Sequence, residues 1–221
     1  MIHNFRQPLS WILIPLIVVA ISTPLLFAQS GKGKQGGFDP SKLKDTIYEG
    51  RVVGVAPGLP GKIMCLNADN QRAIVYVDPR QTMVNVRGVA ETSALKSQMF
   101  IRFTGTVDET GALTEPIKNM EIYTPSPSDP QNDLTAGTEQ IIEGKLLRYA
   151  DDELQLLANG RGIKKVTGTL DPTVEITVHF TDYKMAQKES NITVRGKEYQ
   201  QIHILAQDVE IELIQPLSGR R

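Results

Sequence analysis

The chain has 221 residues, a formal net charge of −1, a hydrophobic fraction of 40% and one cysteine. Near-neutrality leaves no basic excess to neutralise phosphates, which disfavours bulk nucleic-acid binding. A lone cysteine excludes an internal disulfide, so each folded unit must rest on its apolar core.

Residues 1–30 read MIHNFRQPLSWILIPLIVVAISTPLLFAQS. Arg6 and the amino terminus make a positive start. Trp11 to Ala28 is apolar apart from Ser22 and Thr23, and Ala28 and Ser30 offer small residues for cleavage. This is the layout of a secretory signal. The other reading is a retained membrane anchor. At 1.5 Å per residue the apolar run reaches about 27 Å, a little short of a hydrocarbon core of roughly 30 Å. Pro15 and Pro24 also interrupt it. Either reading exports the rest of the chain to a periplasmic or other extracytoplasmic space. Membrane contact is then confined to residues 1–30, if they are kept.

Residues 31–45 are rich in glycine and lysine and read as a flexible tether. Residues 46–123 follow as a first folded half. Residues 124–138, TPSPSDPQNDLTAGT, hold three prolines and almost nothing apolar, and read as a linker. Residues 139–216 form a second half, and 217–221 a tail.

Both halves are written in period two. Val174, Ile176, Val178 and Phe180 alternate with Glu175, Thr177 and His179, and Val209, Ile211 and Leu213 alternate with Asp208, Glu210 and Glu212. Ile101 and Phe103 alternate with Phe100, Arg102 and Thr104. Such alternation predicts strands with one buried face. Turn chemistry separates them: Asn67–Asn70, Asp108–Gly111, and Asn159-Gly160, where a tight hairpin with positive φ is expected. Short helical turns are predicted at Glu91–Gln98 and Thr181–Glu189.

The halves also share landmarks in one order. Glu49-Gly50-Arg51 answers Glu143-Gly144-Lys145, and Asp78-Pro79 answers Asp171-Pro172. IRFTGT from Ile101 answers ITVRGK from Ile192, and MEI from Met120 answers VEI from Val209. The expected architecture is all-β: two tandem small barrels of about five strands each, one in 46–123 and one in 139–216, after the N-terminal hydrophobic segment. Closure would remove the free edges of so small a sheet. Gly50 and Gly144 would let the first strand of each barrel bend, because no Cβ resists it.

Three strands, a short insert and two further strands resemble the OB-fold. The resemblance is carried most by FIRFTGTVDETGALTEPIKNMEIY, Phe100 to Tyr123, and NITVRGKEYQQIHILAQDVEIEL, Asn191 to Leu213. It implies a binding module more often than a catalyst, with ligands on the face of strands two and three and the adjoining loops.

Motifs for catalysis are missing from the sequence: there is no G-x-S-x-G, H-E-x-x-H, phosphate-binding glycine loop or C-x-x-C. His179 and His203 fall in different strands without i+4 metal partners and read as surface residues. Asp151-Asp152-Glu153 lacks the alternating oxygen ligands of a calcium loop and reads as a solvated turn. Asn191-Ile192-Thr193 matches a glycan acceptor but falls inside a predicted strand. Cys65, within KIMCLN, reads as a small buried residue. No metal or cofactor is expected.

The first half carries Arg51, Arg72, Arg80, Arg87 and Arg102 with Tyr76 and Phe100 among them. Arginines beside aromatics suit sugars, anions or single strands. The candidate ligand-binding residues are therefore Arg51, Arg87, Arg102, Tyr76 and Phe100; the alternative is an ordinary solvated face. The expected function is non-catalytic: an exported or membrane-tethered binding or scaffold module for an envelope protein, a glycan or a small anion. The alternative is an OB-type nucleic-acid binder, and an enzyme comes third.

Overall fold

The computed structural model describes residues 43–129 and 133–219. The signal or anchor segment and nearly all of the tether lie outside the described residues. Among the described residues no helix is long and apolar enough to cross a membrane.

The described chain is all-β. In order run β1 (Lys44–Ala56), β2 (Gly61–Leu66), β3 (Arg72–Val77), β4 (Met83–Ala90), β5 (Phe100–Thr106) and β6 (Ile117–Tyr123). The second half adds β7 (Glu139–Ala150), β8 (Glu153–Ala158), β9 (Lys165–Phe180), β10 (Asn191–Gln200) and β11 (His203–Glu212). The two predicted helical inserts are single 3-10 turns, Thr92–Ala94 and Tyr183–Met185.

Two closed rings of five strands result. In the first ring β1 pairs with β2, β2 with β3, β3 in parallel with β11, β11 with β10, and β10 with β1. The second ring runs β7–β8–β9–β6–β5 and back to β7, with β9 and β6 parallel. Both show the OB-like order: a three-strand meander closed by a hairpin whose second strand lies parallel to the third.

The closure corrects one expectation. Neither 46–123 nor 139–216 closes on itself. The meander β1–β3 of the first half is closed by the β10–β11 hairpin of the second, and the meander β7–β9 by the β5–β6 hairpin of the first. The halves exchange their hairpins. The connection between meander and hairpin explains it: β4 continues past β3 along β11 and then pairs antiparallel with the far end of β9, Val86 with Phe180 through Ala90 with Ile176. These crossing strands carry each chain segment out of its own ring. β9 runs unbroken through Asp171-Pro172, whereas the matching Asp78-Pro79 separates β3 from β4, with Thr82 N bonded to Asp78 O at 2.8 Å.

Inward aliphatics fill each ring. Val52, Ile63, Val75, Ile192, Val194 and Val209 are buried in the first, and Ile101, Ile142, Leu146, Leu154, Leu156 and Val166 in the second. Cys65 is 1% exposed, in keeping with the sequence reading.

Gly50 and Gly144 sit where the first strand of each meander passes from one partner to the next. β1 pairs with β10 up to Arg51 and with β2 from Arg51; β7 pairs with β5 up to Lys145 and with β8 from Gly144. A Cβ on Gly50 would come 2.9 Å from Leu66 C, and one on Gly144 the same distance from Ala158 Cα. The strands approach too closely there for any side chain.

The turns follow their residues. Asn70 (φ 59°) and Gly111 (φ 87°) take the left-handed positions in their predicted turns. Asp151 and Asp152, at φ 54° and 60°, make the tight β7–β8 hairpin turn. At Asn159-Gly160 the expected two-residue hairpin is absent. The connection from β8 to β9 is wider, and its left-handed residue is Gly162, at φ 81°. Asn159 N instead bonds Glu143 O at 2.8 Å, which holds it against β7.

Candidate functional site

The two exchanged hairpins differ in one respect. β10 and β11 remain paired over their whole length, from Asn191 with Glu212 to Gln200 with His203. β5 and β6 pair only at Phe100 with Tyr123, Ile101 with Ile122 and Arg102 with Glu121, and then part.

The intervening residues explain the parting. Asp108 accepts the amides of Thr110 and Ala112 at 2.8 and 2.9 Å and the Thr110 hydroxyl at 2.6 Å. The hydroxyl bond above all holds its carboxyl below the ordinary aspartate value. Gly111 then turns the chain toward β9, where Leu113 N bonds Thr167 O at 2.8 Å and Thr167 N bonds Gly111 O at 3.0 Å. Leu113 packs over Gly168 and beside Gly105. This detour across the mouth of the ring fixes the return of β6 away from β5.

A cleft of about 650 Å³ opens between the parted strands. Thr104, Gly105, Lys118 and Asn119 form its walls, Phe103, Ile117 and Met120 its apolar parts, and Glu139 and Glu175 reach it from β7 and β9. That volume falls among ligand clefts, which span about 300–1,000 Å³. The glycines register the difference between the hairpins. A Cβ on Gly196 would come 3.0 Å from Ala206 Cα in the zipped pair, whereas one on Gly105 would meet only side chains, the nearest at 3.4 Å.

The closed end of the cleft carries a row of polar groups. Register places Glu143, Arg102, Glu121 and Thr177 on neighbouring strands in line. Arg102 donates from Nε to Glu121 and stands 3.8 Å from Glu143 Oε1. Its guanidinium lies 5.0 Å from the centre of the Tyr123 ring, which meets Phe100 edge-on at 6.3 Å. His179 Nδ1 is 3.6 Å from Glu121.

Two acids share one guanidinium here, and one of them is 7% exposed. Burial raises the Glu143 carboxyl above its ordinary value, against the opposing pull of Arg102. Burial, helped by the Glu143 charge, pushes the Tyr123 hydroxyl up to about 12. The bond to Glu121 raises Arg102 further. Glu143 Oε2 and the Tyr123 hydroxyl are buried and lack hydrogen-bond partners among the described residues.

Of the residues singled out from sequence, Phe100 and Arg102 come together, against Tyr123. Arg87 lies opposite His179 on the bridging strand β4 and bonds Asn85 at 3.2 Å. It borders a smaller hollow of about 270 Å³ with Asn191, Thr193, Glu210 and Glu212. Arg51 is paired with Glu189 at 2.7 Å on the first ring. Tyr76 stacks on His203, its hydroxyl 2.9 Å from Nδ1, with Lys62 Nζ 5.6 Å from its ring centre. The five therefore stand at four separate places.

Sequence reasoning passed over Glu121, Tyr123 and Glu143, and took His179 for a plain surface residue. A signal was present for one of them: Glu143 belongs to the repeated Glu-Gly phrase, in which the glycine drew the attention. Its counterpart Glu49 is exposed. Comparison of the sequence with protein-family models, of the sequence with curated proteins, and of the fold with solved structures gave no match.

Proposed function

We propose that the protein is a non-catalytic binding or scaffold module that works outside the cytoplasm, carried there by residues 1–30 and released or tethered by them. Its binding site is the cleft between β5 and β6. The observation that carries this reading is the contrast between the two hairpins: of two equivalent elements, one is zipped and the other is held open over a polar cleft by a well-bonded loop. A protein segment, a glycan and a small anion are the ligand classes. The shared landmarks and the common strand order support a further reading, that the halves are copies of one blueprint.

Two groups that could do chemistry lie away from the cleft, which supports binding over catalysis: His203 is bonded to Tyr76 on the other ring, and Cys65 is sealed in the core. Nucleic acid is the weaker alternative, because Arg51 and Arg102 are already matched by carboxylates.

An amide-resolved NMR titration tests the reading. Short peptides, neutral oligosaccharides, inorganic phosphate and a single-stranded oligonucleotide are each added to the protein. Shifts at 103–106 and 117–120 with one of the first three are the expected result. Silence from all of them at these positions refutes the binding role of the cleft, and oligonucleotide binding that falls steeply with salt would favour the alternative.

A further inference from the structure

The row Glu143, Arg102, Glu121 sets two carboxylates against one guanidinium on the neighbouring strands β7, β5 and β6. The two acids are not served alike. Glu121 takes the Arg102 Nε–H directly, whereas Glu143 Oε1 stands 3.8 Å from Nη1, outside hydrogen-bond range. The Glu143 side chain is 7% exposed, against 23% for Glu121, and its Oε2 has no hydrogen-bond partner among the described residues. A buried carboxylate in that position is unfavourable as an anion, and a proton removes most of the penalty. We infer that Glu143 is a proton switch for the position of Arg102. With the proton on, the guanidinium stays with Glu121, the arrangement seen here. With it off, the anion draws Nη1 into a direct bond and pulls the guanidinium across the Tyr123 ring, away from Glu121. The switch goes beyond the binding reading and holds whether or not the cleft takes a ligand.

The surroundings of Glu143 favour the protonated arrangement. Arg102 lies beside it on β5, with Glu121 and Tyr123 beyond on β6; the Tyr123 hydroxyl is likewise buried and unpartnered among the described residues. Half-buried Asp129 stands in the turn after β6. Burial, then the charges of Asp129 and Glu121, oppose ionisation of Glu143, and Arg102 favours it. His179 on β9 lies 3.6 Å from Glu121 and is a cation only when protonated. Lys145 is next on the same face of β7. The loop after β8, tied to β7 by the Asn159 amide, carries Arg161 and Lys164, both exposed. The proton thus decides whether Arg102 and Glu121 balance each other or share the row with a further negative charge.

The test uses the full chain, labelled with carbon-13 and nitrogen-15 and titrated by NMR across the ordinary glutamate and histidine ranges. The Glu143 carboxyl carbon should titrate with a midpoint above that of an ordinary glutamate, and the Arg102 Nε resonance should step at the same midpoint. In Glu143→Gln the Arg102 step should vanish. In His179→Asn it should remain, which separates it from titration of the imidazole. In Glu121→Gln, Glu143 has the guanidinium to itself, so its midpoint should fall. A Glu143 midpoint at or below the ordinary value overturns the inference. So does an Arg102 resonance that ignores that midpoint, a step that survives Glu143→Gln or is lost in His179→Asn, or a midpoint unmoved by Glu121→Gln. The two readings on the parent chain suffice for refutation where a variant fails to fold.

Discussion

Gly144→Ala should be among the most damaging small substitutions in this protein. The added methyl would lie 2.9 Å from Ala158 Cα and from Leu157 C, and closer still to Leu157 O. All three atoms are main chain, so none can rotate aside. The overlap is roughly 1 Å relative to ordinary contact. Moving β7 off β8 by that amount stretches a ladder bond of about 2.9 Å beyond hydrogen-bonding range. Two such bonds cost about 1 kcal/mol each. Disturbed packing beneath, at Leu146 and Leu156, adds about 1–3 kcal/mol. Replacing glycine within a strand returns about 0.5–1 kcal/mol. The net loss is about 2–4 kcal/mol, and Gly50→Ala, against Leu66, should match it. Gly105→Ala is the control, because its methyl would meet only side chains, at 3.4 Å or beyond. It should fall within about 0.5 kcal/mol of the parent. Urea unfolding followed by far-ultraviolet circular dichroism measures all three. Should Gly144→Ala cost under about 1 kcal/mol, or Gly105→Ala cost as much as Gly144→Ala, the account of partner exchange at these glycines is wrong.

The exchanged hairpins predict that a protease site inserted within residues 130–132 can be cut without separating the halves. Both fragments should elute together from a sizing column without denaturant, whereas sequence-contiguous barrels would part. Cys65, 1% exposed and with its thiol pushed up to about 12 by burial, should ignore Ellman's reagent in the native state and react fully in urea. Tyr48 and Tyr123 are likewise raised to about 12 by burial. Folded groups that hold protons more tightly than unfolded ones stabilise below the ordinary values, and this stability is lost as pH climbs. Stability should therefore fall between about pH 9 and pH 12, with the absorbance of ionised tyrosine appearing as unfolding proceeds. The same sign applies to Glu143, whose carboxyl is raised. Its contribution grows as pH falls toward the ordinary glutamate value, and urea midpoints should rise more over that fall in the parent than in Glu143→Gln. Asp108 and Asp171 are held low by their threonine hydroxyls, so their opposing losses set in as pH falls through the ordinary aspartate range.

Much of the local structure was legible in the sequence. Alternation in 174–180 and 209–213 marks strands because successive side chains point to opposite faces, and the aliphatic set is the buried one apart from half-buried Val174. Gly50 and Gly144 could be given a role before the fold was known, since only a missing Cβ lets one strand serve two partners. The candidate site was less accessible. Phe100 and Arg102 share one strand and were found together, but Glu121 and Glu143 reach Arg102 from two other strands, and His179 reaches Glu121 from a third. Nothing in a linear pattern says which outward-facing residues will share a row.

The sequence by itself determined the strands and most of their turns, because these depend on side-chain alternation and on residues able to adopt left-handed backbone. Tertiary structure alone decided which meander each hairpin closes, and it alone held β5 and β6 apart while zipping β10 to β11. The physical reason is that ladder hydrogen bonds are the same whichever strand supplies them. Partner choice therefore rests on where the crossing strands β4 and β9 carry the chain, and on where the loop from Asp108 is tied down.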